Sequence, residues 1–150
     1  MGFPVIKQLF PCTFCVIAAL VHVRPEQFNW TCANVLIGEG DSYSTDGAKA
    51  FALVASKKNI DICTKAEFKA GSGDMKAAIK QIIDNRCCML TVVFGQPQDL
   101  ASIFVEAQAQ SYSGEWVVGD NIIDSYDVVV NEMKKHLAEP AIHKFMTGSC

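Results

Sequence analysis

Seven cysteines, at positions 12, 15, 32, 63, 87, 88 and 150, are the residues of this 150-residue chain whose type most readily does chemistry. Thiolates bind soft metals, exchange disulfides and attack electrophiles. Cys12-Thr13-Phe14-Cys15 has the spacing of a zinc or redox pair, but it lies in an apolar stretch. It has neither a second pair at zinc-finger distance nor a His-x-x-x-His partner, so buried thiols are the expected reading. An odd count leaves at least one thiol free, or shared between chains, in an oxidising compartment. Asn29-Trp30-Thr31 is a glycosylation sequon, which makes Asn29 a modification candidate. Sequon and cysteines together lean toward an extracellular location.

Other chemistries find little support. Gly38-Glu39-Gly40 lacks the third glycine of a dinucleotide fingerprint, and its acidic surroundings repel a pyrophosphate. There is no Walker loop and no G-x-S-x-G elbow. His22, His136 and His143 fall away from the strand ends proposed below, so a Cys or Ser there has no evident base. Glu39, Asp41 and Asp46 read as a solvated rim, because a calcium cage needs about six to eight oxygens from a folded loop. The methionines read as core, and neither a metal nor a cofactor is expected.

Composition sets the frame. With 50% hydrophobic and 19% charged residues the chain forms one compact domain, or one half of a larger two-lobed domain. A net charge of −3 argues against nucleic acid as a partner. No apolar run reaches the roughly 20 residues of a membrane-spanning helix. Residues 9–23 read either as a signal peptide or as a buried helix; Pro11 at a first turn, with Phe14, Ile17, Ala18 and Val21 on one face, favours the helix.

Apolar runs and amphipathic runs then alternate. Strands are expected over 33–37, from 60 to 68, over 88–94 and over 116–118. Helices are expected over 45–58, from Met75 to Asn85, after Pro97, and near 128–137. This order predicts an α/β fold: a parallel sheet with right-handed crossovers and helices on both faces. Ligands of such sheets sit beyond the carboxyl ends of the strands, here 38–44, 68–74, 95–98 and 119–124.

Phe28-Asn29-Trp30 leading into Ala33-Asn34-Val35-Leu36-Ile37, then Asp41-Ser42-Tyr43 and Gly47-Ala48-Lys49-Ala50-Phe51, resembles the receptor ligand-binding-region family of the type 1 periplasmic-binding-protein fold. Asp74-Met75, Val92-Val93-Phe94-Gly95 and Trp116-Val117-Val118-Gly119-Asp120 continue the family's order. The resemblance spans 12–126 and corresponds to the second of two lobes. Residues 1–11 are then an N-terminal lead-in, and 127–150 a C-terminal helix with a divergent tail.

The resemblance implies a non-enzymatic lobe of an extracellular small-molecule or amino-acid receptor that closes like a clamshell around its ligand. It implies that Tyr43 packs on the ligand and that Asp120 accepts a ligand ammonium, with Gln96 and Ser72 facing the same cleft. A first lobe and a transmembrane region lying outside this chain, on the extracellular side of a membrane, are the implied partners, and homodimerisation is left open. The chain departs from the pattern at Tyr43-Ser44, where the family has Tyr-Gly, and in the extra residues 24–27. One lobe offers half a cleft, so the chain alone is expected to bind free amino acids weakly or not at all. With the family's strand order, Cys32 approaches Cys63 or Cys88, and free thiols remain an equal alternative. Two other functions stay open: a solute-binding protein of a transporter, and a flavodoxin-like α/β enzyme or nucleotide-binding domain.

Overall fold

The computed structural model describes residues 5–9, 31–85, 87–112, 114–118 and 126–137. Its elements run β1 (Val5–Leu9), β2 (Cys32–Glu39), α1 (Ser42–Lys57), β3 (Asp61–Lys69), α2 (Lys76–Asn85), β4 (Leu90–Phe94), α3 (Pro97–Ala109), β5 (Glu115–Val118) and α4 (Tyr126–Lys134). All strands are parallel, in the order β1-β5-β4-β2-β3. The fold is α/β, a parallel sheet with helices on both faces.

Both faces of the central strands are covered, which is why β2 and β4 read as continuous apolar runs. On one face Val35 and Ile37 of β2 and Val92 and Phe94 of β4 pack beneath Phe51 and Ala55 of α1. On the other, Leu36, Val93 and Trp116 meet Ile79 of α2, Phe104 of α3 and Met133 of α4. Strand β3 lies at the sheet edge. Its Thr64, Ala66 and Phe68 are buried, whereas Lys65, Glu67 and Lys69 are exposed on the other face, so it alternates as a half-covered strand must. Charges on its open face, with Gln81 Nε2 donating to the Lys65 carbonyl at 3.4 Å, disfavour pairing with a foreign strand.

Local chemistry sets the boundaries. Asp41 is the N-cap of α1, in an extended conformation (φ −115°, ψ 118°) with its carboxylate accepting from Ser44 N–H, so the helix starts three residues before the expected Thr45. Asn59 at φ 57° stops the chain just past α1. Strand β4 begins at Leu90 and not at Cys88, whose carbonyl instead accepts from Asn34 Nδ2 at 2.8 Å.

Strand β1 is an element the sequence pattern did not disclose. Its five residues run straight into an apolar stretch with helical spacing, so they read as a lead-in; only the pairing with β5, Val5 to Glu115 and Leu9 to Val118, identifies them as a strand. The expected N-terminal helix or signal peptide, the sequon at Asn29, Asp120 and the tail after 137 lie outside the described residues.

A row of polar side chains crosses the buried sheet. Asn34 of β2 stands in register with Thr64 of β3 and Thr91 of β4, and Thr91 in turn with Trp116 of β5. Thr64 Oγ1 accepts from Asn85 Nδ2 at 3.0 Å, and Thr91 Oγ1 shares a 2.8 Å hydrogen bond with the Tyr112 hydroxyl. A Cβ at position 114 would overlap that hydroxyl and the Met89 carbonyl oxygen, so Gly114 is needed for β5 to approach. Among the described residues no helix is long and apolar enough to cross a membrane.

Candidate functional site

The strand order reverses direction between β2 and β4. From β2 the chain moves outward to β3, and from β4 it moves the opposite way to β5, so the helices that follow leave on opposite faces. Their N-termini flank a crevice beyond the carboxyl ends of β2 and β4, the place where open α/β sheets bind ligands.

Two long-range hydrogen bonds organise this crevice. Gln96, at the N-cap position of α3, makes no side-chain cap of its own helix, and Pro97 at the helix start lacks an N–H that would need one. Its Nε2 instead donates across the crevice to Asp41 Oδ2 at 3.0 Å. Asp99, in the first turn of α3, is only 3% exposed, and its Oδ1 accepts from the Gly71 N–H at 3.0 Å. Gly71 has φ +78°, a left-handed conformation that glycine adopts without strain. The loops after β2, β3 and β4 are thereby held as one surface.

The two carboxyls are biased in opposite directions. Burial pushes Asp41 up, but the Ser44 hydroxyl, the Gln96 amide and the Ser44 N–H all donate to it and leave it below its ordinary value near 3.8. Asp99 is pushed above that value by burial and by the charge of Asp41, which the Gly71 N–H only partly offsets. Asp41 therefore adds stability above its ordinary value and loses it as pH falls through the lowered one. Asp99 adds stability below its ordinary value and loses it as pH rises through the raised one. Asn at position 99 keeps a carbonyl acceptor for Gly71 and removes the charge. The melting temperature of Asp99→Asn relative to the parent is thus expected to rise between about pH 3 and about pH 7. A flat or falling difference in thermal melts would refute this reading of Asp99.

Of the residues expected at the site, Gln96 is joined directly to Asp41. Tyr43 lies half-buried in the first turn of α1, two residues past that aspartate. Ser72 is exposed beside Gly71, its Oγ accepting from the Asp74 N–H at 3.2 Å. Asp120 falls outside the described residues. Two further residues matter here: Asp41, read from sequence as rim, and Asp99, not singled out. The legible signal was Asp41 three residues before Ser44 at a strand-to-helix junction, which is a capping pattern.

A groove of 190 Å³ lies elsewhere, on the flank between α1 and β3, with Val35, Ile37 and Ala52 among its lining and Lys49 and Lys65 beside them. The strand-end crevice remains the candidate, because convergent polar groups and the topology select it. Among the described residues no group of three or more His, Cys, Asp or Glu side chains could hold a metal ion. His136 lies beyond α4, exposed.

At the opposite end of the sheet the structure pairs Cys32 with Cys88 and Cys63 with Cys87, with Cα separations of 6.0 and 5.9 Å. Cys87 was not among the cysteines considered for pairing from sequence.

Fold and strand order define an α/β unit with a switch point between β2 and β4. The sequence model of the receptor family ligand binding region matches residues 3–147, and the chain belongs to that family. Among solved structures 86 chains match. One is the substrate-binding protein LivJ of a branched-chain amino acid transporter from Streptococcus pneumoniae, in complex with isoleucine. It is 20% identical, with a TM-score of 0.60, over 71% of this chain and 29% of that one. That likeness is one of fold, and this chain spans less than a third of the LivJ chain. No curated protein matches the sequence.

Proposed function

We propose that this chain is the second lobe of a two-lobed domain that closes around a small, amino-acid-like ligand and performs no catalysis. The observation that carries the proposal is the Gln96 to Asp41 hydrogen bond across the switch-point crevice, which fixes two helix N-termini into one ligand-facing surface. Family membership supports a ligand-binding role, and the LivJ fold, with isoleucine bound, supports an amino acid as its class. The match covers 29% of that chain, which supports a first lobe outside this sequence that completes the cleft. In this reading Tyr43 packs against the ligand, Asp120 accepts its ammonium, and Gln96 and Ser72 line the cleft. On the same reading the lobe takes in β1, which pairs with β5, and α4, whose Met133 packs in the core. Closure follows because the ligand touches both lobes only when they are shut.

We favour a receptor on the outer face of a membrane, with its transmembrane region outside this chain and Asn29 glycosylated. The LivJ likeness equally suits a transporter's solute-binding protein. A native product found in the membrane fraction and shifted by glycosidase supports the receptor; a soluble product supports the binding protein.

Calorimetric titration tests the site. The 150-residue chain alone is expected to show no submillimolar affinity for any proteinogenic amino acid. In the two-lobed protein, Tyr43→Ala and Asp120→Asn are each expected to weaken binding by about tenfold or more. Submillimolar binding by the lone chain would overturn the half-cleft reading, and unchanged affinity in both variants would overturn the assigned residues.

A further inference from the structure

The four paired cysteines gather at the amino-terminal ends of β2, β3 and β4, away from the crevice. Cys32 is the first residue of β2. Cys63 sits in a bulge of β3: the register runs from Ala33 opposite Ile62 directly to Asn34 opposite Thr64, leaving Cys63 without a ladder partner. Cys87 and Cys88 are adjacent and are separated from β4 by Met89. Strands β3 and β4 are not neighbours, since β2 lies between them, so the Cys63 to Cys87 bridge must pass across the start of β2. Consistent with this, Cys32 Sγ lies 3.9 Å from the Cys87 carbonyl oxygen.

The two bridges differ in access. Cys88 packs against the apolar cluster under α1, and its partner Cys32 is half-buried. Cys87 is exposed, and it heads a bridge that lies over the strand ends. Exchange requires a thiolate to approach one sulfur in line with the bond that breaks, so an accessible sulfur decides which bridge reacts.

We propose that the Cys63 to Cys87 bridge is a thiol-exchange site for small thiols and dithiols, while Cys32 to Cys88 is a permanent staple. The incoming thiolate bonds to Cys87 Sγ, the Cys63 to Cys87 bond breaks, and its electron pair leaves on Cys63 Sγ, which takes up a proton. A second thiolate then attacks the incoming sulfur, releasing the oxidised small-molecule disulfide and the Cys87 thiolate, which is protonated in turn. Two thiols are oxidised and one protein disulfide is reduced, with no other reactant. The staple keeps β2 and β4 joined throughout, so the strand-end crevice at the far side of the sheet persists in the reduced form.

Differential alkylation of the full chain tests this. Thiols free at the outset are blocked with N-ethylmaleimide, the native protein is exposed to graded reduced glutathione or dithiothreitol, and newly freed thiols are labelled with iodoacetamide and located by peptide mass spectrometry. Cys63 and Cys87 are expected to be labelled together, at least about tenfold faster than Cys32 and Cys88. The selectivity should vanish in guanidinium chloride, where folded access no longer operates. Labelling of Cys32 or Cys88 in the first step, or the same selectivity in denaturant, would overturn the proposal. Because Cys63→Ser with Cys87→Ser removes a bridge and can impair folding, the decisive comparison is made on the unmutated chain. The paired variant adds one check: its remaining bridge should be reduced as slowly as it is in the parent.

Discussion

Trp116→Ala is expected to destabilise the domain by about 3–5 kcal/mol, the range for removing a large aromatic side chain from a rigid core. Trp116 is fully buried in β5. Its ring meets Phe104 of α3 at a centroid distance of 5.3 Å and 69°, and Tyr112 at 5.2 Å and 66°, both edge-to-face arrangements. Such pairs contribute about 0.5–1.5 kcal/mol beyond their buried area. The indole also stands in register with Thr91, whose hydroxyl is bonded to Tyr112, so the void left by alanine would border a polar network that is costly to disturb. Trp116 Nε1, however, has no hydrogen-bond partner among the described residues. Phenylalanine at this position removes that orphan donor along with part of the ring, so Trp116→Phe is expected to cost only about 1–2 kcal/mol. Urea denaturation followed by far-ultraviolet circular dichroism separates the two. A loss below about 1 kcal/mol for alanine, or a phenylalanine variant as unstable as the alanine one, would contradict the packing described.

What the sequence revealed follows from which forces are local. The runs that became β2 and β4 were legible because strands covered on both faces are apolar at most positions, and β3 was legible as an alternating strand because only one of its faces is covered. The start of α3 follows from the fixed φ of Pro97, whereas the apolar spacing of α1 places its start at Thr45 and misses the cap that Asp41 supplies three residues earlier. Pairing partners are not local. Val5–Leu9 becomes a strand only because β5 lies beside it, more than 100 residues later in the chain. The same reason hid the crevice network: Asp41 gains its meaning from Gln96, 55 residues away, and Asp99 from Gly71, 28 residues away. The strand ends themselves were predictable, since topology alone places them. Ser72 and Gln96 lie there, as does Tyr43, to which the family resemblance points, whereas the hydrogen bonds that hold these loops together required the folded chain.

Removing the staple by the double substitution Cys32→Ala with Cys88→Ala is expected to cost roughly 4 kcal/mol, from the conformational freedom that an unfolded chain regains when a long loop is opened. The bridged residues are separated by 56 positions, against 24 for Cys63 and Cys87. Loop entropy grows only with the logarithm of length, so opening the shorter bridge is expected to cost roughly 3.5 kcal/mol. The bridges are nested, so the inner one already shortens the outer loop and brings the two costs closer still. The native state supplies a second difference. Cys88, half-buried, packs against the core and its carbonyl holds Asn34, whose Oδ1 has no partner among the described residues; loosening this corner loosens the polar row across the sheet. The outer bridge should therefore matter more than chain entropy alone suggests, and the Cys32 and Cys88 double variant should be the less stable of the two. Equilibrium unfolding of both double variants under oxidising conditions measures this, and the reversed order would show that Cys63 and Cys87 hold the fold. The crevice lies at the other end of the same strands, so in the two-lobed protein either variant should lose ligand affinity only through its unfolded fraction. A weaker affinity in a fully folded variant would mean that the register of β2 against β4 extends its influence from the cysteines to Asp41 and Gln96.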